Sequence, residues 1–211
     1  MTVVPEPVER YAEAHTTPPG RLLDRLEEET RAQLSAPQMM TGPIEGRLLQ
    51  FLVYALRPRR VLELGTYSGY SAISMAAALP PGGRIDTCEV DETHAAVARR
   101  YIDEAGYGDR VTIHLGPALE TIERLEGEFD FVFVDADKAN YVAYYEALLP
   151  RLAGGGLMAF DNTLWSGRVL EPDDTPATRA ILELNDRLAS DPDVVVVQLS
   201  VRDGITLVRL A

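Results

Sequence analysis

Arg60-Val61-Leu62-Glu63-Leu64-Gly65-Thr66-Tyr67-Ser68-Gly69-Tyr70-Ser71 is an apolar run that enters a glycine-bearing turn and leaves it as a helix. Glycine at such a turn lets backbone approach a ligand at the carboxyl end of a strand. The alternation continues down the chain. Short β-branched runs take turns with amphipathic segments, the pattern of βα units around a mostly parallel sheet. Strands are expected at Arg60 to Gly65, Arg84 to Val90, Val111 to Gly116, Phe129 to Asp135, Gly156 to Asp161, Val194 to Ser200 and Gly204 to Leu210. Helices are expected at Tyr70 to Leu79, Glu92 to Ala105, Ala118 to Leu125, Asn140 to Leu152 and Pro176 to Ser190. Thr175-Pro176 supplies an N-cap followed by proline at the first helical position. Arg202-Asp203-Gly204 joins the last two strands, and Asp-Gly between β runs signals a hairpin, so the sheet should end with an antiparallel strand. The fold class is a doubly wound α/β sheet.

Before residue 60 the periodicity is helical, clearest over Arg21 to Leu34 and Ile44 to Leu56, with Pro18-Pro19-Gly20 and Pro37 as breaks. A chain of 211 residues suits one full-sized core. No repeat, low-complexity segment or linker divides it. We expect one domain over residues 1–211, with a helical cover over 1–59 and the sheet core over 60–211.

The formal net charge of -13 argues against a nucleic-acid partner, since phosphate backbones are held by clustered Lys and Arg. No apolar stretch is long enough for a bilayer. Met1 to Arg10 is acidic and lacks an apolar core, unlike a secretory signal, so a cytoplasmic location is expected. The single Cys88 sits in an apolar run, where a thiol behaves as a small hydrophobe. Of the 20 basic residues only Lys138 is a lysine. An ammonium retained at one position in so Arg-biased a chain points to work a guanidinium cannot do, with chance as the competing explanation.

Glu89, at the end of the second expected strand, is placed to accept both hydrogens of a ribose diol. The glycines depart from a dinucleotide fingerprint, and Glu63, read as lying inside the loop, would repel a pyrophosphate. S-adenosylmethionine carries an ammonium and a sulfonium and no phosphate, and suits this loop better than NAD. The fourth strand, Phe129-Asp130-Phe131-Val132-Phe133-Val134, ends abruptly in Asp135-Ala136-Asp137-Lys138, and the fifth in Asp161-Asn162. Burying such clusters without purpose is costly. In a sheet whose order reverses beside the first strand, the first, fourth and fifth strands are neighbours, so Asp135, Asp161 and Asn162 should converge. Three oxygen ligands suit Mg2+, with Mn2+ or Ca2+ as substitutes, and leave positions for two adjacent substrate oxygens. Helix capping is the competing role for the two aspartates. His15, His94 and His114 are scattered and read as surface or strand residues rather than ligands.

At these residues the chain resembles the metal-dependent class I O-methyltransferases, the family of catechol and caffeoyl-CoA O-methyltransferases. The likeness is carried by Met40-Thr41 with Glu45-Gly46, by Val61 to Ser71, by Gly116-Pro117-Ala118-Leu119, by Phe133 to Lys138, by Asp161 to Gly167 and by Asp203-Gly204-Ile205. It implies a Rossmann-like, seven-stranded sheet of order 3-2-1-4-5-7-6. It also implies that Thr41, Glu63, Gly65, Thr66, Tyr67, Ser71, Glu89, Ala118, Asp135 and Asp137 meet S-adenosylmethionine, and that Asp135, Asp161 and Asn162 bind metal. Lys138 corresponds to the general base, and a homodimer is implied as well. Ser166 stands where the plant caffeoyl-CoA enzymes have a substrate-contacting asparagine, and the segments before Phe129 and around Pro172 to Thr178 look shorter than theirs. Both departures favour a smaller acceptor than a CoA thioester.

The expected chemistry is methylation of one hydroxyl of a small aromatic diol, with Lys138 removing its proton. A lysine can do this at neutral pH if cation and desolvation lower its pKa, whereas arginine cannot lose its proton. Trp165 is a candidate wall for the aromatic ring, with core packing as its other role. Two further readings are a tRNA-modifying methyltransferase, which would need a basic surface, and a nicotinamide-binding oxidoreductase, which has no use for the oxygen triad.

Overall fold

In the computed structural model, which describes residues 3–211, the βα alternation builds one seven-stranded sheet of order β3-β2-β1-β4-β5-β7-β6. Met1 and Thr2, at the head of the segment read for a signal, lie outside the described residues. The strands are β1 Arg60–Leu64, β2 Arg84–Glu89, β3 Val111–Leu115, β4 Phe129–Val134, β5 Leu152–Asp161, β6 Val194–Leu199 and β7 Ile205–Leu210. The pairs from β3 through to β5 are parallel, while β7 runs antiparallel to both β5 and β6. The expected order and the closing hairpin are both found. No helix among the described residues is long and apolar enough to cross a membrane.

Central strands of such a sheet are covered on both faces, which is why β4 is apolar almost throughout rather than alternating. Phe131 and Phe133 pack on one face with Val61, Tyr70, Ile73, Val97 and Leu49. Val132 and Val134 pack on the other with Leu62, Leu64, Tyr141, Tyr145 and Leu184. Phe129 breaks the parity and joins Val132's side, where the register between β4 and β5 shifts. Helices α1 Glu6–Ala14, α2 Arg21–Gln33 and α3 Pro43–Leu56 precede the sheet. Leu23, Leu26, Leu49 and Val53 of α2 and α3 enter the first core, so the N-terminal cover is part of the packed body.

Next along the chain come α4 Tyr70–Ala76, α5 Glu92–Glu104 and α6 Ala118–Arg124, then α7 Tyr141–Leu148 and α8 Pro176–Ser190. Three elements differ from expectation by more than one residue. Helix α4 stops short of Leu79, close to Pro80-Pro81. The helix expected over Asn140 to Leu152 is α7 flanked by single 3-10 turns at 138–140 and 149–151, the second holding Pro150, which lacks the N–H an α-helix would use. Strand β5 begins at Leu152 rather than Gly156, because Leu152 pairs with Phe129 and carries the glycine run along the sheet.

Candidate active site

A cavity of about 700 Å³ opens over the carboxyl ends of β1, β2, β4 and β5. Its lining includes Thr41, Gly65, Thr66, Tyr67, Ser71, Glu89, Ala118, Asp135, Asp137, Lys138, Asp161, Asn162, Trp165 and Ser166, so most residues singled out in the sequence meet there.

The glycine loop forms one wall. Gly65 has φ 100°, and a Cβ there would strike the carbonyl of Asp135, so side-chain-free backbone is required for β1 and β4 to end side by side. The Gly65 and Thr66 N–H groups both donate to the Cys88 carbonyl, at 3.1 and 3.0 Å, which ties the loop to β2. Glu89 closes β2 and is nearly buried. Its Oε2 accepts the Tyr67 N–H at 2.7 Å, and its Oε1 accepts those of Val90 and Asp91, each at 2.9 Å. The carboxylate is thus held rigidly at the cavity wall by backbone. The neighbouring N-cap role belongs to Asp91, which accepts from Thr93 and His94.

Glu63 needs correcting. It lies within β1, not in the loop, is wholly buried and is absent from the cavity lining. Its Oε2 accepts from the Thr87 hydroxyl at 2.5 Å, and Thr87 is in turn 2.6 Å from the Thr66 hydroxyl. Burial lifts its pKa to about 7, against the pull of Ser71 and Thr87. Glu63 pairs with Thr87 and Phe133 on the neighbouring strands, and Leu64 beyond it still pairs with Cys88 and Val134, so the acid sits in the sheet's interior. Glu63 therefore supports the loop from beneath.

The opposite wall is built by the ends of β4 and β5. Asp135 follows β4, and its Oδ1 accepts from Lys138 Nζ at 2.6 Å. The 3-10 turn over 138–140 folds Lys138 back toward Asp135, three residues before it. Nζ also donates to the Tyr141 hydroxyl at 2.7 Å. Asp161 closes β5, is 4% exposed, and its Oδ1 has no hydrogen-bond partner. Burial first, then the charge of Asp135, raise its pKa to about 7, with Lys138, the Asn162 N–H and Arg202 opposing. Asn162 adopts a left-handed conformation with φ 58°, which asparagine tolerates better than most residues. Asp137 is exposed, and its carboxylate accepts from Tyr144 and Asn140.

Among the described residues no three His, Cys, Asp or Glu side chains are grouped as a metal cage. What is present is two carboxylates and an amide. An unpartnered buried oxygen on Asp161, repelled by Asp135, is the donor chemistry a hard cation satisfies, so the residues fit such an ion.

Trp165 and Ser166 line the cavity from a 3-10 turn in which both have positive φ. The Trp165 indole donates to Thr178 at 2.9 Å, and Arg168 lies over its ring at 5.3 Å. Asp203 accepts from the Ser166 N–H and, at 3.3 Å, from its hydroxyl.

The sequence reading assigned no role to several cavity residues. His94 is not a surface or strand residue: it sits in the first turn of α5, lines the cavity, and meets Tyr67 edge-on at 4.7 Å. Arg202 also lines it and donates to Glu45 at 2.8 Å. Glu45 is buried, and its other oxygen lacks a hydrogen-bond partner. Burial, then the charge of Asp161, push its pKa well above the carboxylate range, with Arg202 opposing. Cys88 is buried and its thiol is pushed up to about 12, which keeps it unreactive as expected.

The chain is 37% identical over 184 residues to a caffeoyl-CoA O-methyltransferase of Petroselinum crispum, covering 81% of this chain and 76% of that protein. Two solved structures share its fold. One is an SAH-bound methyltransferase from Podospora anserina, with TM-score 0.91, 30% identity and coverage of 100% and 99%. The other is an O-methyltransferase from Bacillus cereus in complex with SAH, with TM-score 0.89, 31% identity and coverage of 97% of each chain. The family model described as O-methyltransferase matches residues 13–211, nearly the whole of the structure just described, and the chain belongs to that family of enzymes.

Proposed function

We propose that the protein transfers the methyl group of S-adenosylmethionine to a hydroxyl of a small vicinal-diol aromatic, catechol-like or caffeoyl-type, beside a divalent cation. The observation that carries this reading is the buried, unpartnered Asp161 oxygen beside the Asp135–Lys138 pair, in one cavity with the Gly65-to-Gly69 loop. The two SAH-bound neighbours support the methyl donor. The loop, with Thr41, Ser71, Glu89, Ala118 and Asp137, would hold its nucleoside and amino-acid ends, and Glu63 would stiffen that loop from below. Asp135, Asp161 and Asn162 would hold Mg2+, with Mn2+ or Ca2+ as substitutes. When bound, such an ion supplies positive charge that makes a nearby hydroxyl more acidic.

Lys138 would take the hydroxyl proton, and the resulting phenolate would attack the sulfonium methyl in line, breaking its bond to sulfur and releasing S-adenosylhomocysteine. Trp165 and Ser166 would flank the acceptor. Holding donor and acceptor over fixed strand ends supplies the orientation that accounts for up to about 7–11 kcal/mol in favourable reactions. The proposal includes a cytoplasmic homodimer, to be checked by light scattering on the purified protein.

Catechols, caffeate, caffeoyl-CoA and flavonoids, screened by mass spectrometry with S-adenosylmethionine and Mg2+, should yield a monomethylated diol. EDTA should abolish that product and Lys138→Ala should lower turnover more than acceptor affinity. Full activity in EDTA would remove the cation from the scheme.

A further inference from the structure

Resting on the reading of Lys138 as the base, we propose that Tyr141 is a positioning residue that aims the Lys138 amine into the cavity, because its own hydroxyl proton is committed to backbone. Tyr141 is the first residue of α7 and is wholly buried. Its hydroxyl lies 3.0 Å from the Val134 carbonyl, at the end of β4, and 3.1 Å from the Asp161 carbonyl, at the end of β5. A carbonyl only accepts, so the single phenolic proton is shared between those two oxygens. What Tyr141 offers Lys138 is therefore a lone pair.

The stereochemistry of the amine follows. Besides its bond to Cε, the Lys138 nitrogen has three tetrahedral directions, and a base accepts its proton along whichever carries no hydrogen bond. Asp135 Oδ1, at 2.6 Å, and the Tyr141 oxygen, at 2.7 Å, each accept an N–H bond from it, which fixes two of those directions and leaves the third for the acceptor's proton. Lys138 is only 11% exposed and lines the cavity that the acceptor would enter. A tyrosine whose proton was free would instead donate to the amine and occupy the lone pair the reaction needs. With Asp135 alone, the amine could turn about the Cε–Nζ bond and point the lone pair elsewhere. On taking the acceptor's proton the nitrogen gains its third N–H in the same direction, so no hydrogen bond to Asp135 or Tyr141 has to break. The same hydroxyl also clasps the two strand ends that carry Asp135 and Asp161.

Tyr141→Phe keeps the ring and removes only the clasp and the acceptor. We expect its kcat to fall tenfold or more, with KM for acceptor and for S-adenosylmethionine, and the affinity for SAH by calorimetry, changed less than about threefold. In a Lys138→Ala background the same substitution should cost less than threefold, because nothing remains to be aimed. An equal loss in both backgrounds would make Tyr141 a structural residue and overturn the inference, as would wild-type kcat in Tyr141→Phe while Lys138→Ala is impaired. Full activity in Lys138→Ala would instead overturn the base assignment on which the inference rests. Since the chain has one lysine, protein labelled with 15N at lysine Nζ gives a single resonance, readable even if the variant turns over poorly. That resonance should move in Tyr141→Phe and in no other aromatic substitution distant from the site, such as Tyr54→Phe. An unmoved resonance would sink the proposal.

Discussion

Two acidic residues each close a strand of the same sheet, Glu89 on β2 and Asp161 on β5, and both are almost fully buried. Glu89 gathers three backbone N–H groups around its carboxylate. Asp161 keeps one oxygen with no partner and faces two further carboxyl groups, those of Asp135 and Glu45. Buried charge is tolerable only when compensated. At β2 the fold supplies the compensation itself, so that wall is complete before anything binds. At β5 the fold leaves one oxygen uncompensated, Lys138 and Arg202 offset only part of the repulsion, and under the proposed function a cation would supply the rest. The difference suits the proposed division of labour, in which one end of the cavity is preformed and the other would be finished by its ligand.

The sharpest way to break this contrast is to remove Asp161. In Asp161→Ala, turnover of the diol acceptor should fall about a thousandfold, the scale of several kcal/mol of transition-state charge stabilisation. Binding of SAH should change less than about threefold, since the preformed wall is untouched. Comparable losses in both measurements would show that the two walls are not independent. The complementary substitution, Glu89→Ala, has the opposite signature. Losing a charged acceptor that also anchors the Tyr67 N–H should raise the KM for S-adenosylmethionine by about ten- to a hundredfold, from roughly 1.5–3 kcal/mol per charge-assisted hydrogen bond. Titration of Mn2+ followed by its paramagnetic resonance should give the wild-type affinity in Glu89→Ala and a weakened one in Asp161→Ala.

The two walls were not equally legible in the sequence. Apolar runs that end in Asp135 and Asp161 mark strand ends, and strand ends in a doubly wound sheet share one crevice, so the triad could be placed from pattern alone. The hairpin after Asp203-Gly204 was legible for a similar reason, since turn chemistry is local. Glu63 was misplaced because an acid next to a glycine turn was read as part of that turn although it falls within the expected strand, and its cross-strand pairing with Thr87 and Phe133 keeps it in the sheet. Arg202 and Glu45 meet across 157 positions in sequence, which no periodicity encodes. Tyr141 reads as one more apolar face residue of α7, and its clasp on two carbonyls depends on how closely β4 and β5 end. What the sequence marks is where polar groups interrupt an apolar pattern. It does not mark which of those groups find partners.

The smallest effect tests the unfinished wall without any substrate. Asp161 has a folded pKa of about 7 against an ordinary value of 3.8, and Glu63 one of about 7 against 4.5, both raised chiefly by burial. In each case the folded state holds the proton more tightly than the unfolded chain. Between about pH 4 and pH 7 the folded state therefore carries more protons, and the stability these groups contribute, full at low pH, is lost as pH rises through that window. In EDTA, urea unfolding should accordingly show lower stability at about pH 8 than at about pH 5, with Asp161→Asn flattening part of the slope and Glu63→Gln another part. Adding Mg2+ at about pH 8 should restore the Asp161 share and leave the Glu63 share, since only Asp161 reaches the cavity. If Asp161→Asn in EDTA followed the wild-type slope, the carboxylate would already be compensated within the fold, and β5 would end as self-sufficiently as β2.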